Sequence, residues 1–225
     1  MPFRLEAADR FDVHRYRSDH VAGKLHRYLV NADLAQRLLQ VHLPVLDLYF
    51  RGLRDELGDV PRRYRTEELV LLAHALLAET GDFSLLDERA PWLSEKDSLS
   101  PVGSATIWEH LLRIPDFMQA NLGAHGLPLI HQGDWNDSIG KFSKMGRGES
   151  VFAAQQYVYI LRQLAEIALA RGEGDTAARL GALREKQTAA ILAHGWDGGW
   201  WRRAFDDDGN PVGTAAAEFG QIWLN

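Results

Sequence analysis

Between Gly126 and Gly140 the chain reads Gly-Leu-Pro-Leu-Ile-His-Gln-Gly-Asp-Trp-Asn-Asp-Ser-Ile-Gly, so that Asp134, Trp135, Asn136 and Asp137 set two carboxylates, an amide and an indole side by side. Those groups suit a sugar. Carboxylates and amides take hydroxyls, an indole takes the apolar face of a ring, and a carboxyl that keeps its proton can give it to a glycosidic oxygen. Gly133 and Gly140 flank the cluster and allow backbone shapes that regular elements do not. The same residue types also cap helices and close turns, and the residues alone leave both readings open. A calcium loop starting at Asp134 would need glycine where Ile139 stands and a bidentate glutamate where Met145 stands, so it fails. His125 and His131 flank the loop and could hydrogen-bond sugar, but no His-x-x-x-His pair or other metal-ligand spacing occurs, and they are given no role. No Gly-rich phosphate loop follows a strand, which argues against a nucleotide.

Holding such a loop requires rigid elements on both sides. Upstream, Leu69, Leu72, Ala73, Leu76 and Leu77 fall on one side of a helix expected over Thr66 to Glu79, with Glu67 and Glu68 in its first turn and Gly81 as its stop. Ser104 to Asn121 reads as another helix, kinked at Pro115, with Trp108 among its core residues. Downstream, Ser150 to Arg171 and Asp175 to His194 read as two amphipathic helices forming a hairpin across Gly172-Glu-Gly174. Trp200 to Phe205 and Pro211 to Thr214 read as a short β-hairpin about Asp208-Gly209. Nearer the start, His20 to Val30 could form a short helix. From Ala32 to Leu57 leucines recur at mostly helical spacing, interrupted by Pro44. The pattern is an all-α protein whose polar loops gather at one end of a helical barrel.

Gly133-Asp-Trp-Asn-Asp137, then Gly146-Arg-Gly-Glu-Ser-Val151, then Trp196-Asp-Gly-Gly-Trp-Trp-Arg-Arg-Ala204 before Asp-Asp-Gly-Asn-Pro-Val-Gly213 together resemble the cellobiose-phosphorylase family, glycoside hydrolase family 94. Glu79-Thr-Gly-Asp-Phe-Ser-Leu-Leu-Asp87 and His125-Gly-Leu-Pro-Leu129 extend the resemblance to residues 66–225. It implies an (α/α)6 barrel, here present in part as residues 1–225, with 1–60 a poorly matched helical lead-in and 61–225 the family-like core. It also implies that relatives continue beyond Asn225 into helices that carry much of the phosphate site, so that the chain by itself is expected to be inactive.

The chemistry the resemblance implies is reversible phosphorolysis of a β-linked di- or oligosaccharide, with inversion and release of a sugar 1-phosphate. An inverting hydrolase needs a second carboxylate, about 6.5–9.5 Å from the acid, to activate water. Phosphate is already an anionic nucleophile, so one acid suffices. By the resemblance that acid is Asp137, kept protonated by burial or by a neighbour such as Asp134. Trp135 and Asn136 line the donor-sugar subsite and Asp134 shapes the loop. Arg62 and Glu68 occupy the spacing of a donor-gripping pair, although the family has Asp where Glu68 stands and the intervening segment is shorter here. Arg203 matches an arginine that meets substrate, the alternative being a cation stacked on Trp200 or Trp201. Glu149 and Arg147 match as well, and a first-turn glutamate equally suits helix capping. The family has Gly at the position of Ser138. Other readings are an inverting β-glycosidase and a non-catalytic sugar-binding or inactive remnant.

Composition narrows the class. With 225 residues, 46% hydrophobic, the chain can bury a substantial core. A net charge of −6 without basic blocks argues against nucleic acid as a partner. No cysteine is present, which excludes disulfides and thiolate metal sites and permits a reducing cytoplasm. The N-terminus lacks the apolar run of a signal peptide, and no stretch reaches the ~18 apolar residues of a membrane span. The expectation is a cytoplasmic protein using inorganic phosphate as co-substrate and no cofactor or metal, with a homodimer open for the full-length relative.

Overall fold

The structure is a computed structural model describing residues 66–93, 101–131, 133–134 and 137–221, with backbone alone at 66–68, 93 and 137. The helices expected at His20–Val30 and across Ala32–Leu57 lie outside the described residues.

Apolar spacing becomes four α-helices, close to where the sequence places them. They are α1 (Thr66–Thr80), α2 (Ile107–Ala120), α3 (Val151–Ala170) and α4 (Gly174–Ala190). Local chemistry sets their ends. Thr106 caps α2 by accepting from the Glu109 amide, while the Glu109 carboxylate accepts from the Thr106 amide, a reciprocal capping box. Ser150 caps α3 through the Ala153 amide at 3.0 Å. At its far end, Gly172 adopts a φ of 78° and its amide returns to the Leu169 carbonyl, which stops α3 and turns the chain into α4. Pro115 sits inside α2, and its carbonyl accepts from the Tyr157 hydroxyl at 3.2 Å.

Helix α3 is the hub, packing against α1, α2 and α4. Leu76, Leu77, Leu86, Leu111, Ile114, Tyr157, Leu161, Leu164 and Leu180 form the main apolar core, each almost wholly removed from water. Each such leucine or isoleucine contributes about 1.5–3 kcal/mol relative to exposure. Trp108 lies in this core at 5% exposure, as expected, and its indole N–H reaches the Glu173 carboxylate at 2.8 Å.

Two small antiparallel sheets complete the described residues. The ribbon of β1 (Arg89–Leu93) and β2 (Pro101–Thr106) leads directly into α2. It was not expected from the sequence: four of the six β2 positions face solvent, so no inward-outward alternation marks it. The second sheet joins β3 (Glu149–Ser150), β4 (Ala204–Phe205) and β5 (Pro211–Val212) in that order. Strands β4 and β5 are the hairpin expected about Asp208-Gly209, shorter than its sequence signal. The protein is thus mostly helical with small antiparallel sheets, and its four described α-helices fall short of the ring that the resemblance implies. Among the described residues no helix is long and apolar enough to cross a membrane.

Candidate active site

The Asp134–Asp137 stretch leaves the end of a segment that is already tied to the second sheet. Leu129 bridges Glu149, the Ile130 amide donates to the Gly148 carbonyl at 2.7 Å, and the Ser150 amide donates to the Pro128 carbonyl at 2.8 Å. Past the stretch, Asp137–Phe142 forms a 3-10 turn. Ile130 and Ile139 are fully buried and meet in one apolar cluster with Ala204 and Val212, with Phe142 against it. The acidic stretch is therefore pinned at both ends by apolar side chains that share a floor. At its entry His131 holds a φ of 54°, unusual for a residue with a side chain, and its Nε2 hydrogen-bonds Asn121 Oδ1 at 3.1 Å.

Asp134 turns inward. Its side chain is fully enclosed, with Oδ1 ion-paired to the Arg203 guanidinium and Oδ2 accepting from the Ser150 hydroxyl at 2.6 Å. Ser150 Oγ also accepts from the Ala153 amide at 3.0 Å and from Arg203 Nη1 at 3.3 Å. One donation and two acceptances use the whole capacity of a hydroxyl, so the helix cap and the acidic stretch share one atom.

Arg203 is 3% exposed. Its guanidinium lies 5.3 Å from the Phe152 ring, not on Trp200 or Trp201 as the alternative reading has it. Its amide donates to the Val212 carbonyl at 2.8 Å and its carbonyl accepts from Val151 at 3.2 Å. Asp134 and Arg203, both expected among the substrate-binding residues, are thus brought together beneath the loop.

Two further carboxylates brace the surroundings. Glu149, at 2% exposure, lies in β3 instead of the first turn of α3. It accepts from the amides of His125 and Leu127, at 3.0 and 3.2 Å, and from His125 Nδ1 at 2.5 Å. His125 is thereby drawn onto Glu149 and stacked on Phe205, with centroids 4.1 Å apart. Gly123 is required here because an added Cβ would sit 2.5 Å from the Glu149 side chain. Asp207 receives the amides of Met145, Arg147 and Gly148 at 2.7, 2.8 and 3.2 Å. Desolvation works against its charge, but these bonds outweigh it and hold the carboxyl below the ordinary aspartate value. Arg147 stays exposed, with Nε on the Asp207 carbonyl at 2.9 Å.

A third carboxylate organises the aromatic turn. Asp197 accepts from the Ala215 amide, Arg202 and Thr214, which lower its pKa in that order against desolvation. The turn leaves Trp196 and Trp201 edge to face and about two-fifths exposed.

Of the other expected site residues, Asp137 opens the 3-10 turn and Glu68 lies in the first turn of α1. Arg62, Trp135 and Asn136 lie outside the described residues. Ser150 and Asp207 were not singled out from sequence. Ser150 opens the helix read from the sequence, whereas its bond to Asp134 was not legible there. Among the described residues no group of three or more His, Cys, Asp or Glu is arranged to hold a metal ion.

A family model for the glycosyl hydrolase 94 superfamily, catalytic domain, matches residues 50–225. The chain is 38% identical over 157 residues to 3-O-beta-D-glucopyranosyl-beta-D-glucuronide phosphorylase of Paenibacillus borealis, covering 70% of this chain and 20% of that protein. It is 39% identical over 154 residues to solabiose phosphorylase of the same bacterium, covering 68% and 19%. Cellobionic acid phosphorylase of Neurospora crassa is 32% identical over 169 residues, covering 75% and 20%. The chain spans about a fifth of the length of these curated relatives.

Proposed function

The chain belongs to the glycosyl hydrolase 94 superfamily, and from that membership we propose that it supplies the acid-bearing part of an inverting glycoside phosphorylase built on an (α/α)6 barrel. The substrates are a β-linked di- or oligosaccharide and inorganic phosphate, with no resident cofactor, in the cytoplasm. Asp137 gives its proton to the glycosidic oxygen as the bond from that oxygen to the anomeric carbon breaks. A phosphate oxygen attacks the same carbon from the opposite face, forming the sugar 1-phosphate and freeing the acceptor sugar. Asp137 is left as a carboxylate and regains its proton from solvent. Trp135 and Asn136 line the donor sugar, and Arg62 and Glu68 bind its hydroxyls.

The observation that supports this reading over hydrolysis is the enclosure of Asp134. A hydrolase needs its second carboxylate open to a water. Asp134 is enclosed by Arg203 and Ser150, which suits it to shaping the loop and ill suits it to activating a nucleophile. Phosphorolysis needs one acid only, and the matched relatives named above are phosphorylases.

The test replaces the 154-residue stretch matched in solabiose phosphorylase with the corresponding residues of this chain. Solabiose cleavage is then followed with and without phosphate. Sugar 1-phosphate should form only with phosphate, and Asp137→Asn should lower turnover about 10²–10⁴-fold, the usual contribution of a general acid. Free sugars released without phosphate would point to hydrolysis. Loss of activity in Asp134→Asn with retention in Asp137→Asn would move the acid to the other aspartate.

A further inference from the structure

We propose that Arg203 is a positioning residue, which sets the location of Asp137 by gripping Asp134 from below and makes no contact with the sugar. The proposal rests on the reading of Asp137 as the acid.

The geometry centres on two consecutive residues. Arg203 holds Asp134 through its guanidinium, and the next residue, Ala204, packs in the buried cluster with Ile139. Asp137 lies between those two anchors in sequence, so adjacent residues at the start of β4 fix the chain on either side of it. Arg203 is itself immobilised by its amide on Val212, its carbonyl on Val151 and its Nη1 on Ser150. Placement of Asp134 and Ile139 is thereby transferred from the sheet and the α3 N-terminus. A lysine cannot reproduce this. The planar guanidinium presents separate N–H groups to Asp134 and Ser150, whereas an ammonium is a point charge on a flexible stem.

Burial argues against a direct role toward substrate. A cation that binds a sugar hydroxyl must be open to the sugar, and Arg203 is 3% exposed, with Phe152 on one side, Nη1 on Ser150 and Nη2 on Asp134. Its effect on catalysis is therefore indirect. A misplacement of about 1 Å in a catalytic group can cost about 10²-fold in rate.

Hydrogen exchange on the 225-residue chain tests the placement, and turnover in the solabiose phosphorylase exchange protein tests its consequence. Arg203→Met should speed exchange of peptides covering 131–142 by about tenfold or more, leaving 66–80 and 107–120 close to wild type. Arg203→Lys should fall between, and Arg203→Met with Asp134→Asn should add nothing to the larger single effect. In the exchange protein, Arg203→Met should lower kcat about 10²-fold with KM for the sugar within about threefold. A raised KM with kcat retained and exchange unchanged would make Arg203 a substrate contact. Exchange rising equally in all three peptides would make it a general stabiliser. Either result overturns the proposal. Should Asp137→Asn prove active, the catalytic reading falls, and the exchange experiment still decides whether Arg203 holds the loop.

Discussion

The helical core and the loop region beside it are held by different forces. Helices α1 to α4 are joined chiefly by leucine, isoleucine and one tyrosine in a single large cluster, where no single contact decides the packing. The loop region has two small apolar clusters, of Leu127, Val151, Ala154, Ile191 and Phe205 and of Ile130, Ile139, Ala204 and Val212. Its detailed shape is dictated by carboxylates: Asp134 on Arg203, Glu149 on His125 and Leu127, Asp207 on three amides. Apolar packing is non-directional, whereas a buried carboxylate demands its donors at particular points. The first makes a stable body, the second places side chains for chemistry.

The sharpest way to separate the two regions is a pair of tryptophan variants. Trp108→Ala empties a site in the large core and strips Glu173 of a donor, and should cost about 3–5 kcal/mol in stability, measured by urea unfolding. Trp135→Ala should cost clearly less and instead weaken sugar binding in titration calorimetry. A greater loss of stability from Trp135→Ala would place that indole in the apolar body and remove it from the site.

Gly123→Ala attacks the carboxylate side of the comparison without deleting any charge. The new Cβ would meet the Glu149 side chain at 2.5 Å, and that carboxylate cannot withdraw without breaking its bonds to His125 and Leu127. A loss of about 1–3 kcal/mol is expected from overpacking, and the 121–131 segment should show it first in hydrogen exchange. Unchanged exchange there would show that Glu149 can move freely.

The smallest expected effect concerns pH. His110 is buried against Trp92, its Nε2–H donates to the Ala90 carbonyl at 3.2 Å and its Nδ1 has no hydrogen-bond partner. Burial holds its pKa below the ordinary 6.5, only partly offset by Ala90 and Glu109. In the unfolded chain the imidazole accepts a proton at higher pH than in the native one. The unfolded state therefore binds more protons, and stability falls as pH drops below about 6.5. Melts from pH 7 to 5 should show a shallower decline in His110→Gln. Identical slopes would mean that His110 does not titrate between the two states.

What was legible in the sequence follows the same division. Period and caps gave the four α-helices, the core place of Trp108 and the Asp208-Gly209 hairpin, because these depend on neighbours three or four positions away or on a local turn. The ribbon of β1 and β2 was missed because its residues are mostly exposed, β2 shows no alternation, and prolines stand at 91 and 101. The acidic stretch could be recognised from residue types alone. The partners of its first aspartate could not: Ser150 is 16 positions away and Arg203 is 69, and no local rule connects them. Glu149 was equally opaque, since a glutamate before a helix suggests a cap and its bonds to His125 and Leu127 depend on tertiary structure.

That separation of 69 residues also sets an order in time. A ribosome adding about 5–20 residues per second needs roughly 3–14 s to travel from Asp134 to Arg203. During that interval Asp134 has been made and its cation has not. The acidic loop therefore waits for an arginine made later than every residue of α3 and α4, and the ion pair that fixes it cannot precede the synthesis of those helices.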